Sequence, residues 1–300
     1  MKNTFSIKDL ENLSGIKAHT IRIWEKRYEI LQPMRTDTNI RLYDFESLQK
    51  LLNITLLHNY GYKISAISKY SEAQIPKLVN EIISSKSAKE HAISAFKIAM
   101  INFDQAHFLI TYNALLSEKT FKEIFIDVFK PFLFEVETLS QTGTITPAQE
   151  HFICYLIKQK LVINIEKVQL TAPTKTDRTL VLYLPKGELH EIGLMYINYE
   201  LLTNGYQTIY LGQNIPLNNL KTLPQNFNPI DFVTFMTLKP EADGVNNYVK
   251  QMNENILDSD SKFWLTGKQT ELIKPNYLRE NTIIFEDAEN LLERLQTNSF

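Results

Sequence analysis

The period of the apolar positions changes along the chain and divides it into three stretches. The first is short and helical. Ser6 to Leu13 reads as a helix ending at Gly15, with Ser6 able to cap it and Asp9 at the capping-box spacing. A second helix runs from Thr20 to Tyr28. A basic loop, Arg35 to Tyr43, then closes on an aromatic. Asp44 can cap a third helix, in which Phe45, Leu48, Leu51, Leu52 and Thr55 recur at helical spacing until Gly61 stops it. Ile64, Ile67 and Tyr70 give a short fourth.

From about Ser71 to Glu166 the few Gly and Pro residues sit between apolar-periodic stretches. The spacing predicts helices over 73–84, 87–101, 103–117, 120–138 and 147–166, enough for a bundle. A polar linker, Thr171 to Arg178, follows. Then short β-rich runs alternate with helical patterns. The strands expected are Thr179–Leu184, Thr208–Leu211, Asp231–Leu238, Lys262–Leu265 and Thr282–Phe285. The helices expected are His190–Asn204, Leu217–Leu223, Ala242–Asn255, Gln269–Ile273 and Ala288–Gln296. That alternation predicts a five-stranded parallel sheet with helices on both faces, Rossmann-like and flavodoxin-like. The fold class is therefore multidomain α and α/β. Ligands of such sheets sit outside the carboxyl ends of the strands, which directs attention to the loop after the first strand.

Composition sharpens this picture. The chain has 300 residues, 44% of them hydrophobic and 22% charged, as expected of two or three globular domains. No apolar run reaches the roughly 18 residues of a membrane span, and the polar N-terminus shows no secretory signal; a cytoplasmic location is expected. The single cysteine, Cys154, lies in an apolar helical pattern and reads as a buried thiol. Charge is uneven. Residues 1–70 hold 11 Lys and Arg against 7 Asp and Glu, while the rest hold 21 against 27. A basic head on an acidic body fits phosphate contact by the head alone.

Helix, turn, helix and basic wing is the order that lays one helix in a DNA major groove. Arg22, Lys26 and Arg27 cluster on or beside the second helix, and Arg35 and Arg41 flank the wing. Lys17 and His19 stand at the helix start, where side chains can approach bases. Trp24 reads as core. Tyr28 either bonds a phosphate or packs. The ordered run Ser6-Ile7, Gly15-Ile16, Thr20 to Tyr28, Arg35 and Arg41-Leu42-Tyr43 resembles the winged helix-turn-helix of MerR-family regulators over residues 3 to about 72. The resemblance implies Arg22, Arg27, Tyr28, Arg41 and Tyr43 as residues that contact DNA or position those that do. The family usually has a small polar cap before the second helix; here Lys17 stands there. The long dimerisation coiled coil of simpler members is also missing, so self-association into a dimer or larger homo-oligomer falls to the later domains.

After the first strand comes Pro185-Lys186-Gly187-Glu188-Leu189-His190-Glu191-Ile192-Gly193. On spacing alone, His190 is either a metal ligand oriented by Glu188 or a polar surface residue. The loop is similar to the Asp-x-His-x-x-Gly signature of cobalamin-binding domains, with Glu188 for the Asp. The stretch Leu201 to Tyr206 and Tyr210 to Pro216 resembles that fold's second βα unit. A bundle before the sheet is the plan of the cobalamin-dependent, light-responsive MerR repressors, so the resemblance spans nearly the whole chain. It implies His190 as lower ligand of the cobalt, Glu188 as the partner of His190, and Gly193 beside them. Three departures stand out. Met236 falls where a Ser-x-Leu pattern begins, with Thr234 or Thr237 as substitutes. Thr266-Gly267 replaces a Gly-Gly. In the bundle, Glu150-His151 matches the family's upper-face pair, but Ser140 stands at its Trp.

Nothing resembles a phosphate loop, a zinc site, a nucleophile elbow or a catalytic triad, so a non-enzyme is expected. His58, His91 and His107 read as isolated surface or packing residues, and Glu286-Asp287 as a helix cap. The expected division is residues 1–72 as DNA-binding head, 73–170 as cap-like bundle and 178–300 as cobalamin-binding-like α/β domain. The function expected is a DNA-binding regulator that senses a ligand, cobalamin among the options. The alternatives are a cofactor-free regulator signalling through protein partners and, in another class, a corrinoid-dependent methyl carrier or enzyme module. The latter would need a substrate-handling barrel for which 300 residues leave no room.

Overall fold

A computed structural model describes residues 4–72, 74–81, 88–223 and 229–297. The chain divides into two compact units that meet between Ile157 and Lys158.

The first unit begins with the head. Helix α1 (Ile7–Ser14) is capped as its sequence predicts: Ser6 Oγ accepts the Asp9 N–H at 3.1 Å and Asp9 accepts the Ser6 N–H at 2.8 Å. Gly15 ends it at φ +75°, a conformation that costs glycine nothing. Helix α2 (Ala18–Tyr28) starts two residues earlier than the apolar pattern indicates. Lys17 offers its end no side-chain cap. Glu11 on α1 fills that role by accepting the Ala18 N–H at 3.3 Å. Three short strands, β1 (Phe5–Ser6), β2 (Met34–Arg35) and β3 (Arg41–Tyr43), pair antiparallel in the order β1-β3-β2 and form the wing. Helix α3 (Phe45–Asn59) is capped by Asp44, and α4 (Ile64–Ile67) follows.

Helices α5 (Gln74–Glu81), α6 (Ala88–Asn102) and α7 (Gln105–Leu116) come next. The expected helix boundaries at 73, 82–84 and 87 lie outside the described residues. Helix α8 (Phe121–Ile124) runs through a π turn (Phe125–Phe129) into α9 (Lys130–Gln141). Phe96, Phe108, Tyr112, Phe129 and Phe132 form the aromatic centre of this bundle, with ring centroids 4.9 to 6.2 Å apart. Head and bundle touch at the far end of α1. Buried Lys97 on α6 donates to the Leu13 carbonyl at 3.1 Å and pairs with Glu135 on α9. Asn12 donates to Thr144 Oγ1 at 2.8 Å.

Helix α10 (Pro147–Gln169) contains the boundary between the units. In the second unit, strands β4 (Lys175–Pro185), β5 (Tyr206–Ile215), β6 (Ile230–Phe235), β7 (Phe263–Thr266) and β8 (Thr282–Ile284) form one parallel sheet in the order β5-β4-β6-β7-β8. All five expected strands are present and the flavodoxin-like order is realised, with the reversal between β4 and β6. The linker is shorter than expected, because Lys175 already pairs with Tyr206. Helices α11 (Ile192–Thr203), α12 (Val245–Asn255) and α13 (Ala288–Thr297) flank the sheet. The stretches 217–220 and 268–272 are 3-10 turns rather than α-helices. The core on the α12 face is continuous and apolar, built on Val181, Phe232, Met236, Val249 and Phe263. Among the described residues no helix is long and apolar enough to cross a membrane.

Candidate functional site

In the head, α2 separates its side chains cleanly. Ile21 and Trp24 are buried, and Trp24 packs edge-on against His58 with centroids 5.4 Å apart. Lys17, His19, Arg22, Lys26 and Arg27 are exposed. Arg27 lies over the Tyr28 ring at 5.9 Å, so the half-buried tyrosine packs beneath a cation. Arg35 faces Arg41 across the β2–β3 pair, and its guanidinium donates to the Asn39 side chain. Arg22 and Arg41 both lie close enough to the Tyr43 hydroxyl to pull against its upward shift, which burial and Glu25 impose. Three of the expected arginines thus gather around the wing, and Arg27 sits on the last turn of α2.

For Tyr43 the structure excludes contact with DNA. At 0% exposure it cannot touch DNA; its hydroxyl donates to Glu25 Oε1 inside the head. The resemblance implies Tyr43 as a residue that contacts DNA or positions one that does, and burial leaves only the second. On β3 it shares a face with Arg41, and its ring is packed into the head where Glu25 takes the hydroxyl. Glu25, overlooked in the sequence, also accepts from Arg41 Nε at 3.0 Å. An acidic residue among cations, one position after a core Trp, was the available signal.

In the second unit the loop after β4 is built around one carboxylate. Glu188 is 1% exposed at its side chain. Its Oε1 accepts the backbone N–H of Leu189 and His190 at 3.0 and 3.1 Å and lies 2.7 Å from His190 Nδ1. Its Oε2 accepts the backbone N–H of Thr237, Leu238 and Lys239 at 3.1, 2.6 and 3.0 Å. Burial alone would raise this carboxyl, but the bonds from His190, Leu238 and Lys239 hold it at about 2. These bonds also explain two boundaries. β6 stops at Phe235 rather than reaching Leu238, and α11 begins at Ile192 rather than His190. The His190 side chain is 54% exposed, flanked by exposed Leu189 and Leu238. With Nδ1 on Glu188, Nε2 is the nitrogen through which a metal would be held.

Residues 5–74 match the family model described as the MerR HTH family regulatory protein, and residues 92–163 match a B12 binding domain model. The chain is 28% identical over 243 residues to the HTH-type transcriptional repressor CarH of Myxococcus xanthus, covering 79% of this chain and 80% of CarH. It matches a CarH-type regulator. The related repressor CarA of the same organism is 23% identical over 71% of this chain and 69% of its own length. Among solved structures, the monomethylamine corrinoid protein of Methanosarcina barkeri is similar in fold, with a TM-score of 0.55, 15% identity, and coverage of 70% of this chain and 99% of its own. The B12 binding domain match falls on the helices, from α6 into α10, and not on the sheet.

A corrinoid in the second unit would need a residue to hold its cobalt and room for its nucleotide tail. The imidazole of His190, oriented by Glu188, could hold the cobalt of a corrinoid. The positions at which the resemblance implies room for a buried nucleotide tail are closely packed, which opposes such a group. The Phe235 ring lies against Gly193, where an added Cβ would meet it at 3.0 Å. Gly267, at φ +99°, lies so close that a Cβ would stand 2.6 Å from the Met236 carbonyl. Met236 is fully buried in the core, and buried Thr266 donates its hydroxyl to the Glu286 carbonyl at 3.3 Å. Thr234 is also engaged: its hydroxyl donates to the Tyr183 carbonyl at 2.8 Å from a fully buried position.

The remaining sequence candidates lie in the first unit. Glu150 accepts a hydrogen bond from Ser140, the residue at the expected Trp position, and His151 is exposed. Cys154 is half-buried, with its thiol pushed up to about 12 by burial and by Glu150. His91 and His107 are not isolated. Burial lowers the His91 imidazole, and the nearby His107 lowers it further. Asp287 does cap α13, accepting the Asn290 N–H at 3.0 Å.

Proposed function

We propose that this chain is a sequence-specific DNA-binding transcription regulator, and that its bundle and α/β module sense a ligand and control its oligomeric state. The observation that carries this is the partition of α2, with Ile21 and Trp24 inward and Lys17, His19, Arg22, Lys26 and Arg27 outward beside an arginine-bearing wing. Such a helix supplies guanidinium forks for guanine edges and phosphates, while the wing holds the backbone alongside. A homodimer would place two heads on half-sites about 34 Å apart, one helical turn of DNA. Lys97 and Asn12–Thr144 join the bundle to α1, so a change in the bundle reaches the head through direct bonds. The repressor names of the relatives support regulation over enzymology.

A corrinoid, if bound, would be held through its cobalt by His190, oriented by Glu188, and would supply a metal centre that responds to its ligands. His190 suits that part, and the close packing at Gly193 and Gly267 opposes a buried nucleotide tail. Phe235, Met236 and Thr266 favour a second reading, a regulator that works without the cofactor and answers to a protein or small ligand.

The test is a mobility-shift titration on the DNA upstream of the chain's own gene. Retardation at nanomolar protein in the presence of excess competitor DNA is expected. Equal affinity for both DNAs would remove the regulator reading.

A further inference from the structure

We infer that Glu25 is a positioning residue for DNA binding, which ties the recognition helix to the wing and aims Arg41 at the phosphate backbone. The inference rests on the DNA-binding reading above and adds a residue to it.

Glu25 stands in the least favourable place for a carboxylate. Its neighbours on α2 and the wing are Arg22, Lys26, Arg27, Arg35 and Arg41, the surface that would meet a polyanion. On an exposed face, such a charge would repel DNA. The Glu25 side chain is only 8% exposed, however, and both oxygens are occupied. Oε2 takes Arg41 Nε at 3.0 Å and Oε1 takes the Tyr43 hydroxyl. Both donors come from β3, two residues apart, and so share one face of the strand. One carboxylate on the recognition helix therefore grips the wing at two points.

The chemistry of the pair decides what this does. An arginine carries five N–H donors in a rigid plane. Glu25 takes the one on Nε and thereby fixes the plane, while the four on the two Nη atoms belong to the end of a side chain that is 31% exposed. Fixing a guanidinium before contact removes rotamer entropy that would otherwise be lost on binding. The net charge of the pair is zero, so the gain comes from direction and not from long-range attraction. Tyr43 serves a different end: its buried hydroxyl anchors Glu25 from below.

The experiment uses the full chain and a duplex that the parent protein selects from a random-sequence pool. The Glu25→Gln variant keeps the shape and loses the charge. It should bind the selected duplex about five- to tenfold more weakly, with the slope of log K against log salt lowered by about 0.9, the loss of one phosphate contact. Arg41→Ala should show the same slope change, and the double variant should bind no more weakly than Arg41→Ala alone. Tyr43→Phe should melt at a lower temperature but keep the parent slope, which separates bracing of the fold from aiming of the arginine. Binding of Glu25→Gln equal to or tighter than the parent's, or additive effects in the double variant, would overturn the inference while leaving the regulator reading intact. A parent chain that enriches no sequence from the pool would overturn both.

Discussion

Glu188 Oε1 lies 2.7 Å from His190 Nδ1, and the same carboxylate collects five backbone N–H groups from two loops. The loop after β4 is thus held to the end of β6 by one side chain. An imidazole fixed this way keeps one orientation while its outer part faces solvent.

Glu188 should make stability depend on acid. Its folded value of about 2 lies below the ordinary 4.5, so its contribution is complete above pH 4.5 and is lost as pH falls towards 2. That contribution has an upper bound on the order of 3 kcal/mol. Glu188→Gln should therefore unfold at lower urea than the parent at pH 7, and the gap should narrow between pH 4.5 and 3. A gap that stays constant across this range would show that the charge of Glu188 plays no part.

Mixing the chain with hydroxocobalamin should leave the cofactor's visible spectrum that of the free compound, because Phe235 packs against Gly193 and Met236 against Gly267. A shifted spectrum that disappears in His190→Ala would show that this packing yields and that His190 holds the cobalt. Although half its side chain is exposed, His190 bonds the buried Glu188 carboxylate, so His190→Ala should itself lower stability by about 1 kcal/mol.

The two glycines near this loop should respond differently to alanine. At Gly193 the new Cβ meets the edge of a Phe235 ring at 3.0 Å, which a side-chain shift can relieve, at a cost of about 1 kcal/mol. Phe235→Leu in the same chain should recover most of that loss. At Gly267 the obstacle is backbone at 2.6 Å and φ is +99°, so Gly267→Ala should cost more, about 2–3 kcal/mol, with no rescue from a neighbouring side chain. Thermal melts of the three variants would decide this, and equal losses at the two glycines would contradict it.

Arg22→Ala should weaken DNA binding and lower the salt slope by close to one phosphate while leaving the melting temperature unchanged, since Arg22 is exposed on α2. Fluorescence anisotropy at several salt concentrations measures both quantities. An unchanged slope would place Arg22 away from the duplex.

Much of the fold was legible because period and caps are local. Ser6–Asp9, Asp44 and Gly15 set the head's helix ends as the residue types require, and the switch from helical to strand-like runs after Arg178 announces the sheet. The boundaries that failed depend on tertiary bonds. Asp231–Leu238 reads as one strand until a carboxylate fifty residues away draws the last N–H groups aside. The site was legible in its residue types, Glu188 and His190, but not in its free volume. Whether Met236 narrows a slot depends on where Phe235 turns, and alternation along a strand does not fix how far a ring reaches. Glu25 was hidden for a similar reason: its partners lie 16 and 18 residues downstream, on a strand of three residues.

The bond from Lys97 to the Leu13 carbonyl bears on how the head can be handled. A fragment cut after residue 72 would leave that carbonyl, together with the Asn12 amide, to water alone. The shortened piece would keep every arginine yet lose the fastening that steadies α1 beneath the recognition helix. Grafting this reader onto another protein would therefore require carrying the bundle along with it, from α6 through Thr144.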